Sequence, residues 1–145
     1  KFLINKKAKI IIIAHLGRPK GKIVPELTLK PIAKKLSSYL NQDVTFLSES
    51  IGLLAIKNSK KISNGKVLLL ENLRFHSGET NNDPEFAGKL ARHGQIYVND
   101  AFGTAHRSHA SNVGVTEHFI EKAMGGNPPI AFARYFKEKT GGNSN

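Results

Sequence analysis

Short apolar runs alternate along this chain with segments of helical periodicity. The first run, Ala8–Ala14 (AKIIIIA), is dense in β-branched residues, as is typical of a strand buried on both faces of a sheet. Further strands are predicted over residues 43–47, 66–70 and 95–98. Strands that alternate with helices are joined by crossovers, so the pattern predicts an α/β fold around a parallel sheet.

The predicted helices lie between these strands and after the last of them. Thr28 can cap a helix whose apolar positions continue to Leu40, and a short helix is predicted over residues 51–58. Asp83-Pro84-Glu85 combines a capping carboxylate, a first-turn proline and an acid, which predicts a helix start there. We expect that helix to run to about residue 93, and another to form near residues 116–122.

The charge of the chain is concentrated in its first half. Residues 1–66 hold 14 basic and 3 acidic side chains, which accounts for the whole net charge of +11. Most of the excess is lysine, which indicates a solvated face or a docking surface for nucleic acid or an acidic protein. The basic half has few aromatics for base stacking, which argues against RNA.

Composition excludes several classes of protein. The chain has 145 residues, enough for one ordinary domain, and no cysteine, so it has neither disulfides nor thiolate chemistry. The longest apolar run is too short to span a membrane. The only methionine is Met124, from which we expect a processed, trimmed or incomplete chain.

Three loops follow predicted strands, and they hold three of the five arginines. Because the carboxyl ends of parallel strands meet at one edge of a sheet, these loops should lie close together. Arginine and histidine in such a place indicate a small, multiply anionic ligand, since the guanidinium fork suits carboxylate and phosphate. The residues are His15, Arg18, Arg74, His76, His106, Arg107 and His109.

Other histidines and two aromatics receive structural interpretations. His106 and His109 form an i, i+3 pair with no third ligand in evidence, so no metal site is expected. His93 and His118 are interpreted as surface or packing residues. Phe75 and Phe102 are interpreted as apolar plugs that fix their loops.

Four segments of the chain carry a family resemblance: HLGRPKG at 15–21, LLLENLRFH at 68–76, NDPEFAGKLA at 82–91 and YVNDAFGTAHRSHAS at 97–111. In order and spacing they resemble signatures of the phosphoglycerate kinase N-terminal domain. The resemblance implies a Rossmann-like parallel sheet with flanking helices over residues 1–122, followed by a divergent linker and tail over residues 123–145.

The resemblance also implies a function and a set of site residues. In that family the N-terminal domain binds 3-phosphoglycerate or 1,3-bisphosphoglycerate, and a separate domain holds Mg-ATP or Mg-ADP for phosphoryl transfer in glycolysis or the Calvin cycle. The implied substrate-binding residues are His15, Leu16, Gly17, Arg18, Arg74, His106, Arg107 and His109. No cofactor is expected on this chain itself.

Departures from the family pattern leave two functions open. The R-x-D-x-N segment and a further arginine of the family are not found in these residues, so we expect no kinase turnover from the chain alone. The first function is the substrate-binding half of a phosphoglycerate kinase, in the cytoplasm or a plastid. The alternative is a non-catalytic subunit that docks on a larger, acidic assembly through its basic half.

Overall fold

Three parallel strands form the sheet in the part of the chain that the structure, a computed structural model, describes: residues 1–104 and 106–124. The strands are β1 (Ile10–Ile12), β2 (Val44–Leu47) and β3 (Val67–Leu70). Their order is β1-β3-β2, and Ile10 and Val44 both align with Val67 on the central strand. The predicted parallel sheet and α/β fold class are confirmed.

Helices connect and cover these strands. They are α1 (Phe2–Asn5), α2 (Lys30–Leu40), α3 (Leu53–Lys61), α4 (Ser77–Thr80), α5 (Pro84–Ala91) and α6 (Gly114–Met124). Short 3₁₀ turns occur at Pro25–Leu27, Leu73–Phe75 and Phe102–Thr104. Within the described residues, no helix has both the length and the apolar character needed to cross a membrane.

The core is split into two clusters around β3, which is buried along its whole length. Val67 and Leu69 pack with Leu29 and Ala33 at the start of α2. The second cluster joins α5 and α6 to the turn after β3; its buried members are Leu73, Phe86, Ala87, Leu90, Ala91, Ala110, Val115 and Phe119. The first cluster thus includes β3 itself, and the second includes the turn that follows it.

The predicted helix starts are observed with their expected chemistry. The Asp83 carboxylate accepts a hydrogen bond from the Phe86 backbone N–H at 2.7 Å, and Pro84 is the first residue of α5. The cap of α2 is Leu29, one residue after the predicted Thr28, and Leu29 makes no side-chain capping bond; the Thr28 hydroxyl still accepts from the Lys30 N–H at 3.3 Å.

Two strand predictions are wrong in part. β1 is half-buried along its length, because it lies at the edge of the sheet in the described residues, with β3 on one side only. Residues 95–98 do not form a strand; Ile96 and Val98 are exposed, and the Tyr97 hydroxyl donates to the Ser111 carbonyl. Strand propensity is realised only where a neighbouring strand supplies ladder bonds.

The expectations for the end of the chain can be compared with the structure only as far as residue 124. α6 runs from Gly114 to Met124, which confirms a helix near residues 116–122. The linker and tail expected over residues 123–145 lie, from residue 125 onward, outside the described residues. The Phe102 side chain, interpreted as a plug, is also outside the description, whereas Phe75 is buried as expected.

Candidate functional site

The loops after β1 and β3 are joined at the carboxyl edge of the sheet by the fully buried Asn72. Its Oδ1 accepts from the Leu16 N–H at 3.2 Å, and its Nδ2 donates to the carbonyls of Leu16 at 2.8 Å and Leu27 at 2.9 Å. Oδ1 also accepts from the Arg74 N–H at 3.1 Å. A single amide therefore sets the positions of both loops.

Glu71, the neighbour of Asn72, attaches the start of α2 to the same edge. Its carboxylate accepts hydrogen bonds from the Leu29 N–H at 2.9 Å and from the Thr28 hydroxyl at 2.6 Å. It also accepts from the Asn72 N–H at 2.7 Å. Glu71 is buried, and these donors stabilise its charge there.

Arg74 extends from the 3₁₀ turn after β3 across to the loop after β1. Its Nη1 donates to the Gly17 carbonyl at 2.7 Å, while its own carbonyl accepts from the Gly21 N–H at 3.2 Å. Its Nε is buried and finds no hydrogen-bond partner among the described residues. The guanidinium thus keeps an unused donor at the site.

Like charges surround Arg74. Partial burial and the positive charges of Arg107 and Arg18 lower the pKa of Arg74, and the Glu79 carboxylate opposes them. The side chain stays protonated at neutral pH because arginine starts from so high a pKa. Arg18 and Arg107, from two other loops, are therefore close enough to repel Arg74.

Glu79 and His109 bring the third loop to the same place. Glu79 is fully buried, and its carboxylate accepts from the Ser111 hydroxyl at 2.6 Å and the Ser111 N–H at 3.0 Å. The His109 Nδ1 lies 3.6 Å from Glu79 Oε1, and the His109 ring stands nearly perpendicular to that of His15, 6.1 Å away.

Burial sets the protonation of the two histidines. It lowers the pKa of His15, as does the charge of Arg74, while Glu79 acts in the opposite direction. Burial also lowers the pKa of His109; Glu79 opposes this shift, and Arg74 and Arg107 add to it. Both imidazoles are therefore neutral at neutral pH, and the arginines carry the positive charge of the site.

The structure brings together most of the residues that the sequence singled out. His15, Arg18, Arg74, Arg107 and His109 interact through the contacts and charges described above, and Leu16 and Gly17 line the site with backbone. We call these seven residues, together with Glu79, the edge site.

Two histidines of the same loops lie apart from the edge site. His106 is exposed, and within the described residues no hydrogen bond or ion pair joins its side chain to the others. His76 packs against the Phe86 ring, with 5.4 Å between ring centroids, and lines an open cleft of about 510 Å³. Burial lowers the pKa of His76, and the charge of Glu49 opposes that shift.

Sequence reasoning missed the polar residues that hold the edge site together. Glu71 and Asn72 follow an apolar strand directly, and this abrupt change was a usable signal of the sheet edge. Glu79 carried no such signal, since only the folded chain brings its carboxylate to Ser111 and His109.

Comparisons with known proteins point to one family. The family model for phosphoglycerate kinase matches residues 1–127. The chain is 50% identical over 124 residues to the phosphoglycerate kinase of Chlorobium phaeobacteroides (strain BS1), covering 86% of the chain and 31% of that relative. Against the phosphoglycerate kinase of Prosthecochloris aestuarii it is 51% identical over 137 residues, covering 94% of the chain and 32% of the relative. The chain thus spans about a third of these curated relatives.

Solved structures agree with the sequence comparison. The phosphoglycerate kinase of Coxiella burnetii superposes with a TM-score of 0.67 at 40% identity, covering 77% of this chain and 27% of that one. The phosphoglycerate kinase of Pyrococcus horikoshii OT3 gives a TM-score of 0.67 at 34% identity, covering 85% of this chain and 34% of that one.

Proposed function

The chain belongs to the phosphoglycerate kinase family, and we propose that its edge site binds 3-phosphoglycerate or 1,3-bisphosphoglycerate. The relatives named above are phosphoglycerate kinases, and the match lies with the N-terminal domain of that family. Even without the family assignment, the same residues indicate a binding site for a small anion with several negative charges.

The observation that carries this proposal is the crowding of arginine around Arg74. Arg107 and Arg18 repel it, and the described part of the site supplies a single carboxylate, that of Glu79, among the charges acting on it. A ligand with a carboxylate and a phosphate offsets that repulsion. It also offers an acceptor to the unused Nε donor of Arg74.

Such a site suits phosphoryl transfer because the transferred group carries its charge on oxygen. Guanidinium groups neutralise that charge and orient the substrate, and little covalent chemistry is asked of the protein. We propose that a nucleotide with Mg²⁺ is held by a separate domain, as in the family, and that this chain alone catalyses no turnover. A coupled assay that detects ATP-dependent turnover by the 145-residue chain contradicts the second statement.

Calorimetry with 3-phosphoglycerate tests the binding proposal. We expect Arg74→Gln to weaken binding about 10-fold or more, because it removes a charged donor from the site. The matched control is Arg92→Gln, since Arg92 is an exposed arginine just beyond α5. Equal affinities for the wild type and Arg74→Gln contradict the proposal.

A second function, docking on an acidic assembly, draws its support from the lysines. All thirteen lysines of residues 1–66 are exposed, including the pairs Lys34/Lys35 and Lys60/Lys61. We propose it as the alternative, tested by gel filtration of the chain from its native source. Elution at the size of a monomer in low salt contradicts docking.

A further inference from the structure

We propose that His15, Glu79 and His109 also form a site for a divalent metal ion of the zinc class. Their candidate ligand atoms, one from each residue, lie within 4.8 Å of one another. Two imidazoles and one carboxylate are a donor set that proteins use for zinc and for iron(II). The proposal goes beyond the proposed function, which needs no metal on this chain.

The spacing of two of the ligands is already close to what zinc requires. With bonds of about 2.0–2.2 Å and tetrahedral angles, neighbouring ligand atoms are about 3.3–3.6 Å apart. His109 Nδ1 and Glu79 Oε1 are separated by 3.6 Å. His15 is half-buried on a loop, and a shift of about 1 Å in its ring completes the set.

The buried Nδ1 atom of His109 is a second feature that supports a metal ion at this site. Its residue exposure is 9%, and its Nδ1 is buried without a hydrogen-bond partner among the described residues. Buried polar atoms are rarely left without a partner, because losing water without replacement costs free energy. A metal ion bound to Nδ1 supplies that missing partner.

Glu79 is held in place for such a role. Oε1 accepts from the Ser111 hydroxyl and Oε2 from the Ser111 N–H, so the carboxylate cannot rotate freely. Each carboxylate oxygen has a further lone pair for a metal. Hydrogen bonds of this kind behind a ligand orient it and raise metal affinity.

The positive charges of the arginines oppose the binding of a cation at this site. Arg74 and Arg107 both act electrostatically on His109. Removing the charge of Arg74 should therefore strengthen metal binding while it weakens phosphoglycerate binding. Arg74 and Arg107 lie close to the site, which favours water or an anion as the remaining ligand of the ion.

A titration of the full chain with Zn²⁺ and Co²⁺ tests the site. Zn²⁺ affinity is measured by competition with a chromogenic chelator, and Co²⁺ reports its coordination through visible absorption that intensifies in a four-coordinate site. We expect one tight equivalent in the wild type and at least a 10-fold loss in His15→Gln and His109→Gln. Circular dichroism shows which variants fold. If His109→Gln does not fold, His15→Gln still tests the site, because His15 is only half-buried.

His106→Gln is the matched control, because His106 is an exposed histidine of the same loop as His109. It should bind Zn²⁺ as tightly as the wild type. Equal loss in His106→Gln, or no loss in His15→Gln, overturns the inference and indicates binding to surface histidines. Calorimetry with 3-phosphoglycerate in the presence of a chelator tests the proposed function separately, and Arg74→Gln should move the two affinities in opposite directions.

Discussion

The side chain of Asn72 holds the backbone of Leu16 at both of its polar groups. Oδ1 accepts from the Leu16 N–H at 3.2 Å, and Nδ2 donates to the Leu16 carbonyl at 2.8 Å. Leu16 lies between His15 and Gly17, so this pair of bonds places an edge-site imidazole and the carbonyl that receives Arg74. The geometry of the edge site therefore depends on a residue that need not touch a ligand.

We expect Asn72→Ala to lower the free energy of unfolding by about 2–4 kcal/mol, because buried backbone groups of both loops lose their partners. Urea denaturation measures the change. Asn58→Ala is the matched control, since the Asn58 amide donates to the Leu54 carbonyl in an exposed position, and should change stability by about 0.5 kcal/mol or less. Similar losses in the two variants contradict the structural role assigned to Asn72.

Gly21 is the position where the loop after β1 most needs glycine. Its φ is +76°, and a Cβ there would lie 3.1 Å from the Ser77 backbone nitrogen. We expect Gly21→Ala to cost about 1–2 kcal/mol of stability and to weaken phosphoglycerate binding, because the Gly21 N–H bonds the Arg74 carbonyl. Gly103→Ala, where a Cβ meets no atom of the described residues within 4 Å, should leave stability nearly unchanged in the same urea experiment.

Local signals in the sequence predicted local structure well. The Asp83-Pro84 pair predicted the start of α5, and the apolar runs at residues 8–14, 43–47 and 66–70 predicted the three strands. These signals act over a few residues, through capping bonds and side-chain periodicity. The positions of Arg18 and Arg74 after β1 and β3 also predicted that they converge, since parallel strands end at one edge. Arg107 joins them although the strand predicted before it does not form.

Features that depend on distant partners were not predictable in the same way. Residues 95–98 have strand propensity, yet Tyr97 packs against Phe119 and bonds Ser111 instead of joining a ladder. The role of Glu79 requires Ser111, 32 residues later in the chain. Which polar groups are buried together is evident only from the folded structure.

The start of α5 offers a direct measurement of one sequence-predicted interaction. Asp83→Ala removes the carboxylate that caps the Phe86 N–H, so we expect a loss of about 0.5–2 kcal/mol in the free energy of unfolding. Asp43→Ala, at an exposed aspartate before β2, should have a smaller effect in the same assay. An equal effect of both substitutions means that charge, not capping, sets the loss.

His93 joins α3 and α5 inside the protein, where protonation is costly. Its Nε2 donates to the Ser50 carbonyl at 2.8 Å, and its Nδ1 lies 3.0 Å from the Ser59 hydroxyl. Burial lowers the pKa of His93, and the bond to Ser50 opposes the shift only in part. Of the two roles interpreted from the sequence, a surface or a packing residue, His93 has the packing role.

A lowered pKa in the folded state makes stability depend on pH in a definite direction. Below the ordinary histidine value of about 6.5 the unfolded chain takes up a proton that folded His93 does not, so the free energy of unfolding falls as the pH falls. The fall continues until the pH is below the folded-state pKa, with a slope of at most about 1.4 kcal/mol per pH unit from this residue.

Urea denaturation between pH 7.5 and 5 should show a shallower fall in His93→Gln than in the wild type. His106→Gln, at an exposed position, should keep the wild-type slope. The same slope in all three proteins assigns the pH dependence to other histidines with lowered pKa, such as His15 and His109.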